Sequence, residues 1–187
     1  MNWKTLSSEY LSNHPYFTAR KDVCEMQDGT IVPAYYVVEM PESVCAMALT
    51  ENNEVILVKQ YRHPIETDTL ELPGGFVDKG ETPETAIVRE LQEETGYRFS
   101  GFYKLGRTAA NPGVLNNFTT LFLATGGKKT TEQKLDYNEE IEIELFPLEE
   151  VRKMLLNNEI IQAMHSTCIF YGFNWLDRSK NPLPYRG

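Results

Sequence analysis

The sequence predicts an α/β protein in which a mixed β-sheet is covered by helices on both faces. Apolar or alternating segments typical of strands lie before and after one central amphipathic helix. Two further helical segments follow the last strand, so helices are available for both faces of the sheet. The hydrophobic content of 41% and the charged content of 24% are those of a folded globular protein.

The N-terminal part of the chain contains a predicted β-hairpin. Residues 17–26 and 30–40 have strand character, and Asp28-Gly29 between them is a tight-turn signal. Residues 1–16 are amphiphilic and aromatic but too short to fold alone. Because an isolated hairpin is marginally stable in water, we expect this one to dock on the main domain or on a partner chain.

Two regions are therefore expected in the chain. Residues 1–41 form an N-terminal segment and hairpin with a predicted role in dimerisation, and residues 42–187 form the main domain. The main domain opens with two apolar strands, residues 44–49 and 55–61, which are joined by a polar turn and are expected to lie in the core.

The elements after this pair follow from the same patterns. Residues 69–73 lead directly into Gly74-Gly75 and the central helix. Further strands are predicted at residues 102–105, 118–124 and 140–146, a polar loop at 125–138, helices at 147–156 and 160–176, and an irregular proline-containing tail at 177–187.

The central helix carries start and stop signals. Thr82 is suited to the N-cap, Pro83 to the first helical position, and Gly96 to a left-handed C-cap. Ala86, Ile87 and Leu91 form an apolar stripe that predicts burial of one helical face.

Three carboxylates crowd another face of this helix. Glu90, Glu93 and Glu94 have the i, i+3, i+4 spacing that places side chains within one turn. Like charges at this spacing repel by roughly 0.2 to 0.5 kcal/mol per pair unless a cation lies between them. Hard divalent cations prefer such all-oxygen clusters, so the pattern predicts a Mg²⁺ site, with Mn²⁺ as a possible substitute. Arg89 lies eight residues after Glu81, and this pair is expected to tie the preceding loop to the helix.

The whole stretch resembles the Nudix box of the Nudix hydrolase family. The resemblance rests on the order and spacing of Gly75, Glu81, Arg89, Glu90, Leu91, Glu93, Glu94, Gly96 and Tyr97. It implies an α/β/α sandwich with a mixed sheet, here extended by the N-terminal β-hairpin. It also implies hydrolysis of a nucleoside diphosphate linked to another group. By resemblance Glu90 and Glu94 are metal ligands, Glu93 is a third ligand or a water-orienting group, and Gly74 contributes its carbonyl.

Outlying motifs resemble one branch of that family. QYRHPI at residues 60–65, ELPGG at residues 71–75 and Pro112 are similar to the ADP-ribose and nucleoside-diphosphate-sugar pyrophosphatases. This implies Mg²⁺-dependent hydrolysis of a nucleotide sugar, with ADP-ribose converted to AMP and ribose 5-phosphate as the first expectation. The alternatives are a GDP-mannose or other nucleotide-sugar hydrolase, or a nucleotide-sugar-binding module without turnover.

Substrate contacts are implied in the same way. In that branch the N-terminal hairpin exchanges across a homodimer and supplies aromatic side chains near the partner's site, a role for which the candidates here are Phe17, Tyr35 and Tyr36. The alternative is that these rings fill the hairpin core. Arg62 is a candidate for binding the diphosphate or the terminal ribose, or else forms a surface salt bridge, and Glu71 is a candidate for contacting substrate or a metal-bound water.

A late loop supplies the candidate general base. Enzymes of this branch often use a glutamate close to the following strand, which makes Glu139 the first choice and Glu140 the second. A solvated carboxylate without a role is the alternative. Residues 114–117, after Pro112, lack the acidic residue common in ADP-ribose enzymes, which leaves the choice of sugar open.

Net charge bears on the binding partners of the protein, and cysteine content bears on its location. A formal net charge of −9 is unfavourable for binding nucleic acid or an anionic membrane. Three cysteines without paired spacing suggest reduced thiols. With no signal peptide and no long apolar run, a cytoplasmic location is expected.

Overall fold

The computed structural model describes residues 2–14 and 17–180 of the chain. This part contains ten strands and three α-helices, with a short 3₁₀ turn at His63–Ile65. The elements are β1 (Lys4–His14), β2 (Phe17–Glu25), β3 (Ile31–Glu39), β4 (Ser43–Thr50), β5 (Glu54–Arg62), β6 (Thr67–Glu71), α1 (Pro83–Thr95), β7 (Tyr97–Arg98), β8 (Gly101–Thr108), β9 (Thr119–Lys129), β10 (Ile141–Pro147), α2 (Leu148–Leu156) and α3 (Ala163–Lys180). No helix among these residues is long and apolar enough to cross a bilayer.

The first compact unit, here called the N-terminal unit, comprises residues up to Glu42 together with Ala109–Phe118. It contains the predicted hairpin, β2 and β3, but as part of a three-stranded antiparallel sheet in the order β1-β2-β3. Strand β1 corrects the sequence analysis, which assigned no strand to residues 1–16. Almost every residue of β1 is exposed, so its regularity comes from backbone pairing with β2 rather than from burial of a face.

Residues 109–118 extend this unit along the edge of β3. The amide of Val38 donates to the carbonyl of Val114 at 2.9 Å, and the amide of Asn116 donates to the carbonyl of Val38 at 3.3 Å. The side chain of Asn116 also accepts a hydrogen bond of 3.0 Å from the amide of Met40. The segment that contains Pro112 is therefore held by backbone bonds to the N-terminal sheet.

The larger unit comprises Ser43–Thr108 and Thr119–Gly187. Its sheet has the order β10-β5-β4-β9-β7, with β6 paired to β5 and β8 paired to β9. Strands β4 and β9 are parallel and the other pairs are antiparallel, so the predicted mixed sheet is confirmed.

Helices cover both faces of this sheet. Alternate residues of β4 point to opposite faces. Ala46 and Ala48 pack with the apolar stripe of α1, whereas Met47 and Leu49 pack with α2 and α3. Each large side chain buried in this way contributes roughly 1.5 to 3 kcal/mol of hydrophobic stabilisation. The predicted α/β/α sandwich is confirmed.

Several boundaries differ from the sequence analysis, among them the following three. Strand β9 continues to Lys129, inside the predicted polar loop, because β7 pairs with its end. Helix α3 begins at Ala163 rather than at residue 160, since Gln162 accepts hydrogen bonds from the amides of residues 164 and 165 and so caps the helix. The helix continues to Lys180, where irregular structure was predicted; the rest of the predicted tail, residues 181–187, lies outside the described residues.

Candidate active site

The acidic helix α1 is delimited by its own caps. Thr82 accepts a hydrogen bond of 3.2 Å from the amide of Thr85, whose hydroxyl accepts one of 3.0 Å from the amide of Thr82. At the other end Gly96 adopts the left-handed conformation with φ 73°, where a residue without Cβ is favoured. The turn that carries Glu90, Glu93 and Glu94 therefore occupies the second half of a well-terminated helix.

Arg89 links this helix to the preceding loop. Its Nη2 and Nε donate to the carboxylate of Glu81 at 2.9 and 3.2 Å, and Nη2 also donates to the carbonyl of Phe76 at 3.0 Å. Its Nη1 donates to Glu90 at 2.8 Å and to Glu93 at 3.2 Å. These bonds, first among them the one to Glu81, raise the pKa of Arg89, so its positive charge is permanent.

The glycine pair before the helix brings its backbone against β4. The carbonyl of Gly75 accepts from the amide of Val44 at 2.8 Å, and the carbonyl of Pro73 accepts from the amide of Ala46 at 3.1 Å. Gly74 lies between them with φ 153°, and a Cβ there would collide with the backbone of β4. Within the described residues, no hydrogen bond is donated to the carbonyl of Gly74.

Both glycines also touch the acidic cluster. The amide of Gly74 donates to Oε2 of Glu94 at 2.8 Å. A Cβ on Gly75 would lie 2.5 to 2.8 Å from the carboxylate atoms of Glu90. The carboxyl of Glu90 thus occupies the space that any other residue at position 75 would fill.

Burial and nearby negative charge make Glu94 and Glu90 hard to ionise. Burial is the main cause that raises the pKa of Glu94 to about 8; the negative charges of Glu90 and Glu139 add to it, against the bond from the Gly74 amide. Burial also raises the pKa of Glu90, although Arg89 opposes the effect. A cation placed among these groups would offset both causes.

The donor set fits a hard divalent cation. Carboxylate oxygens on one helical turn and the Gly74 carbonyl beside them are the ligand type that Mg²⁺ and Mn²⁺ prefer. Across residues 2–14 and 17–180, no three acidic, histidine or cysteine side chains already converge as a finished ligand set. Glu90 and Glu93 instead both form ion pairs with Arg89. To bind a metal ion, their carboxylates would have to rotate away from Arg89.

A second polar cluster lies beside the first. Arg62 donates from Nε and Nη2 to the two carboxylate oxygens of Glu71, each at 2.7 Å, and Thr69 donates to Glu71 at 2.6 Å. Glu71 is only 1% exposed. Burial opposes its ionisation, but the bonds from Arg62 and Thr69 and nearby positive charge outweigh burial and lower the pKa of Glu71.

His165 completes this cluster and was not identified from the sequence. Its Nδ1 accepts a hydrogen bond of 3.2 Å from the amide of Leu72. Burial lowers the pKa of His165 to about 4, so the imidazole is neutral, with its proton on Nε2. Its Nδ1 lies 3.5 Å from Oε2 of Glu71, a distance that represents no ion pair while the ring is neutral. No local spacing marks a contact between residues 93 positions apart.

The late loop, residues 130–140 between β9 and β10, lies next to α1. The amide of Lys134 donates to the carbonyl of Glu93 at 2.8 Å. Glu139 closes a turn in which its amide donates to the carbonyl of Asp136 at 3.0 Å and its carboxylate accepts from the Asp136 amide at 2.9 Å. Glu139 faces the cleft, whereas the exposed Glu140 is not among the residues that line it.

These groups surround one polar cleft of about 590 Å³, a volume typical of small-molecule sites. Six acidic and three basic side chains line it, so the acidic ones are in excess. These charged residues are Asp78, Glu90, Glu93, Glu94, Asp136, Glu139, Arg62, Arg89 and Lys134. The cleft belongs to the larger unit.

The remaining predicted site residues lie in the N-terminal unit. Phe17 and Tyr36 expose more than half of their surface. Tyr35 packs edge-on against Trp3 and donates a hydrogen bond of 3.2 Å to the carbonyl of Gly113, next to the exposed Pro112.

Sequence comparisons identify the family to which this fold belongs. The family model of the NUDIX domain matches residues 40–165, which is more than half of the chain. The chain therefore belongs to the Nudix family, as its resemblance to the Nudix box implied. A second model, described as the nucleoside diphosphate sugar hydrolase N-terminal domain, matches residues 3–38.

Two relatives are similar over most of this chain, and one solved structure shares its fold. An ADP-ribose pyrophosphatase of Bacillus subtilis (strain 168) is 34% identical over 169 residues, which cover 90% of this chain and 91% of the relative. An ADP-ribose pyrophosphatase of Mycobacterium tuberculosis (strain ATCC 25618 / H37Rv) is 31% identical over 165 residues, or 87% of this chain and 79% of the relative. The crystal structure of an ADP compounds hydrolase has the same fold, with a TM-score of 0.84 at 20% identity over 98% of both chains.

Proposed function

We propose that this protein hydrolyses the diphosphate linkage of nucleoside diphosphate sugars in a Mg²⁺-dependent reaction, with ADP-ribose cleaved to AMP and ribose 5-phosphate as the preferred case. The observation that carries the proposal is the cluster of Glu90, Glu93 and Glu94 beside the Gly74-Gly75 turn, at a cleft of suitable size. The two ADP-ribose pyrophosphatases that are similar over most of this chain support the same substrate class.

The charge of the cleft explains why a dication is needed. Acidic side chains outnumber basic ones in the lining of the cleft even when Glu94 is protonated, so the cleft without a cation disfavours a substrate diphosphate, which is itself anionic. Glu90, Glu94 and the carbonyl of Gly74 would hold Mg²⁺, with Glu93 as a further ligand or an orienting group. The bound ion would supply Lewis-acid polarisation of a phosphoryl oxygen and a lower pKa for bound water.

The chain's own groups would position the substrate. Arg62 is held by Glu71 through Nε and Nη2, and its side chain is 46% exposed at the cleft. The edge of its guanidinium formed by Nε and Nη2 is therefore fixed by Glu71, and the remaining N–H donors are available to a phosphate or a ribose. Glu71 would act through Arg62, because the bidentate bond sets the direction of the guanidinium.

Glu139 is proposed as the general base. Its carboxylate lines the cleft, and its negative charge contributes to the raised pKa of Glu94 and Glu90, as expected of a near neighbour. It would accept the proton of the attacking water. Glu140 is a weaker candidate because it does not line the cleft.

We also propose that the protein acts as a homodimer with exchange of the N-terminal sheet. The support is the exposed apolar surface of that sheet, where Trp3, Leu6, Tyr10, Leu11 and Tyr36 each expose 45% or more of their surface. A partner chain would cover these residues, and Phe17, Tyr35, Tyr36 and Pro112 would contact the nucleotide base. The three cysteines are free and buried, which fits the proposed cytoplasmic location.

A substrate panel tests the activity. ADP-ribose, GDP-mannose and other nucleotide sugars are incubated with Mg²⁺ or Mn²⁺ in ¹⁸O-labelled water, and mass spectrometry identifies the products and the labelled phosphate. The expected result is AMP and ribose 5-phosphate as the fastest products, with no turnover in EDTA. Faster cleavage of GDP-mannose than of ADP-ribose would show that GDP-mannose is the preferred substrate. Binding of nucleotide sugars without turnover would show that the protein is a non-catalytic binding module.

A further inference from the structure

Gln133 joins the acidic helix to the strand that follows the late loop. Its side-chain Nε2 donates to the carbonyl of Glu94 at 2.7 Å and to the carbonyl of Ile141 at 3.2 Å. The side chain is partly buried. A primary amide has two N–H donors, so one group can satisfy both carbonyls.

The first carbonyl belongs to the last turn of α1. Carbonyls at a helix C-terminus have no partner within the helix and need one from elsewhere. The late loop supplies these partners: the amide of Lys134 donates to the carbonyl of Glu93, and the amides of Thr130 and Thr131 donate to the carbonyl of Gly96. The bond from Gln133 to Glu94 lies within this set of contacts.

The second carbonyl lies at the other end of the late loop. Ile141 is the first residue of β10 and directly follows Glu139 and Glu140. The contacts of Lys134, Thr130 and Thr131 fix only the entry to the loop. The exit is anchored in the sheet, because Ile141 pairs with Gln60 of β5. The bond from Gln133 to Ile141 ties this exit to the entry, so one side chain joins the two ends of the loop at residues 134–140 to each other and to α1.

We infer that Gln133 is a positioning residue that sets the distance between the acidic helix and Glu139. The inference rests on the proposed function, because it assigns Gln133 a role in placing the general base against the metal-binding carboxylates. Gln133 touches neither substrate nor metal in this role. It acts through the backbone of Glu94 on one side and of Ile141 on the other.

The expected effect is on turnover rather than on binding. A displacement of about 1 Å in a reacting group can reduce the rate about 100-fold. Gln133→Met keeps the length of the side chain and removes both donors. We expect kcat for ADP-ribose to fall 10- to 100-fold while KM changes less than threefold, since Arg62 and the aromatic candidates are untouched.

The test uses the full chain and three variants. Gln133→Met is compared with Gln92→Met, a partly buried glutamine of α1 whose side chain makes no hydrogen bond within the described residues. Gln133→Lys restores N–H donors at similar reach and is expected to return kcat to within threefold of the wild type. Hydrogen exchange of the metal-free proteins, read by mass spectrometry, is expected to rise at residues 130–141 in Gln133→Met alone.

Two results would overturn the inference. One is a kcat of Gln133→Met within twofold of the wild type, and the other is a loss of kcat with unchanged exchange at residues 130–141. If Gln133→Met does not fold, Gln133→Ser, which is polar but too short to span both carbonyls, replaces it in the same comparison. Failure of the proposed function is distinguished because the wild type would then cleave no nucleotide sugar, whereas the exchange measurement needs no substrate.

Discussion

Arg62 donates from Nε and Nη2 to both carboxylate oxygens of Glu71, each at 2.7 Å. The sequence analysis considered Arg62 as a substrate contact or a surface salt bridge and Glu71 as a contact to substrate or a metal-bound water, without pairing them; the structure joins them in one bidentate pair. Glu71 is buried and Arg62 is half exposed. The buried carboxylate therefore fixes the direction of the Arg62 guanidinium at the edge of the cleft. The contribution of the pair to stability can be measured by mutation.

Removal of Arg62 is expected to destabilise the fold. Arg62→Met leaves the carboxylate of Glu71 buried without its charged partner, and the free energy of unfolding should fall by about 2 kcal/mol. Urea unfolding measures this change, and the double variant Arg62→Met/Glu71→Gln should recover part of the loss. Arg98→Met, at an exposed arginine of β7, is the matched control. Equal stability of Arg62→Met and the control would show that the pair contributes nothing to folding.

His165 should make stability depend on pH. Its folded-state pKa of about 4 lies below the value of about 6.5 in the unfolded chain, so the unfolded state alone binds the extra proton between these pH values. Stability therefore falls as the pH drops from 6.5 to 4, by about 3 kcal/mol in total. Glu71 and Arg62 face the imidazole, and Glu71 stays ionised over most of this range because its pKa is lowered.

The comparison with His165→Asn isolates this effect. The amide oxygen of asparagine can still accept the bond from the Leu72 amide, but the side chain does not titrate. Metal-free unfolding at pH 7, 5.5 and 4 should show a steeper loss in the wild type than in the variant. Parallel curves for the two proteins would contradict the low pKa of His165.

Glu94 should be dispensable for folding and essential for turnover. Glu94→Gln keeps an oxygen that can accept from the amide of Gly74 and removes a buried carboxyl whose ionisation is costly. We expect kcat to fall at least 100-fold, whereas the unfolding midpoint in EDTA stays equal to or above that of the wild type. Glu84→Gln, at the exposed start of the same helix, should leave turnover unchanged and lower the unfolding midpoint only slightly, through loss of its surface ion pair with Lys104. Near-normal turnover in Glu94→Gln would remove Glu94 from the metal site.

The N-terminal sheet should determine the oligomeric state. Leu6 and Leu11 of β1 are 45% and 56% exposed, and Leu6→Asp/Leu11→Asp places charge on the surface proposed for dimerisation. Light scattering at micromolar concentration should give twice the chain mass for the wild type and a lower mass for the double variant. Leu156→Asp, at a leucine of α2 that is 79% exposed, is the control. A monomeric wild type would refute the dimer.

Local signals predicted α1 well because its determinants are short-range. The cap at Thr82, the left-handed Gly96 and the apolar stripe of Ala86 and Ile87 act within a few residues of one another. The same holds for the carboxylates on its second half, whose spacing alone predicted a shared face. The mixed sheet followed from the alternation of strands and helices.

Long-range contacts left no such signal. Strand β1 is exposed and has no regular apolar alternation, and its regularity comes from pairing with β2. The bond of Leu72 to His165 and the two bonds of Gln133 join segments that periodicity cannot relate. The sequence analysis therefore predicted that Glu90, Glu93 and Glu94 share a face of α1 and that Arg89 ties Glu81 to the helix, but it missed the long-range contacts of His165 and Gln133.

The bonds between β3 and residues 109–118 affect how this protein can be recombined. The amides of Val38, Asn116 and Met40 take part in these bonds, so the N-terminal sheet is completed by a piece of chain some seventy positions away. In a chimera that took only the first 42 residues from a relative, β3 would come from one protein and residues 109–118 from the other, so the bonds between them would not be preserved. Transfer of the intact N-terminal unit requires three junctions instead of one. The segment around Pro112 must be transferred together with the strand that carries Tyr35 and Tyr36.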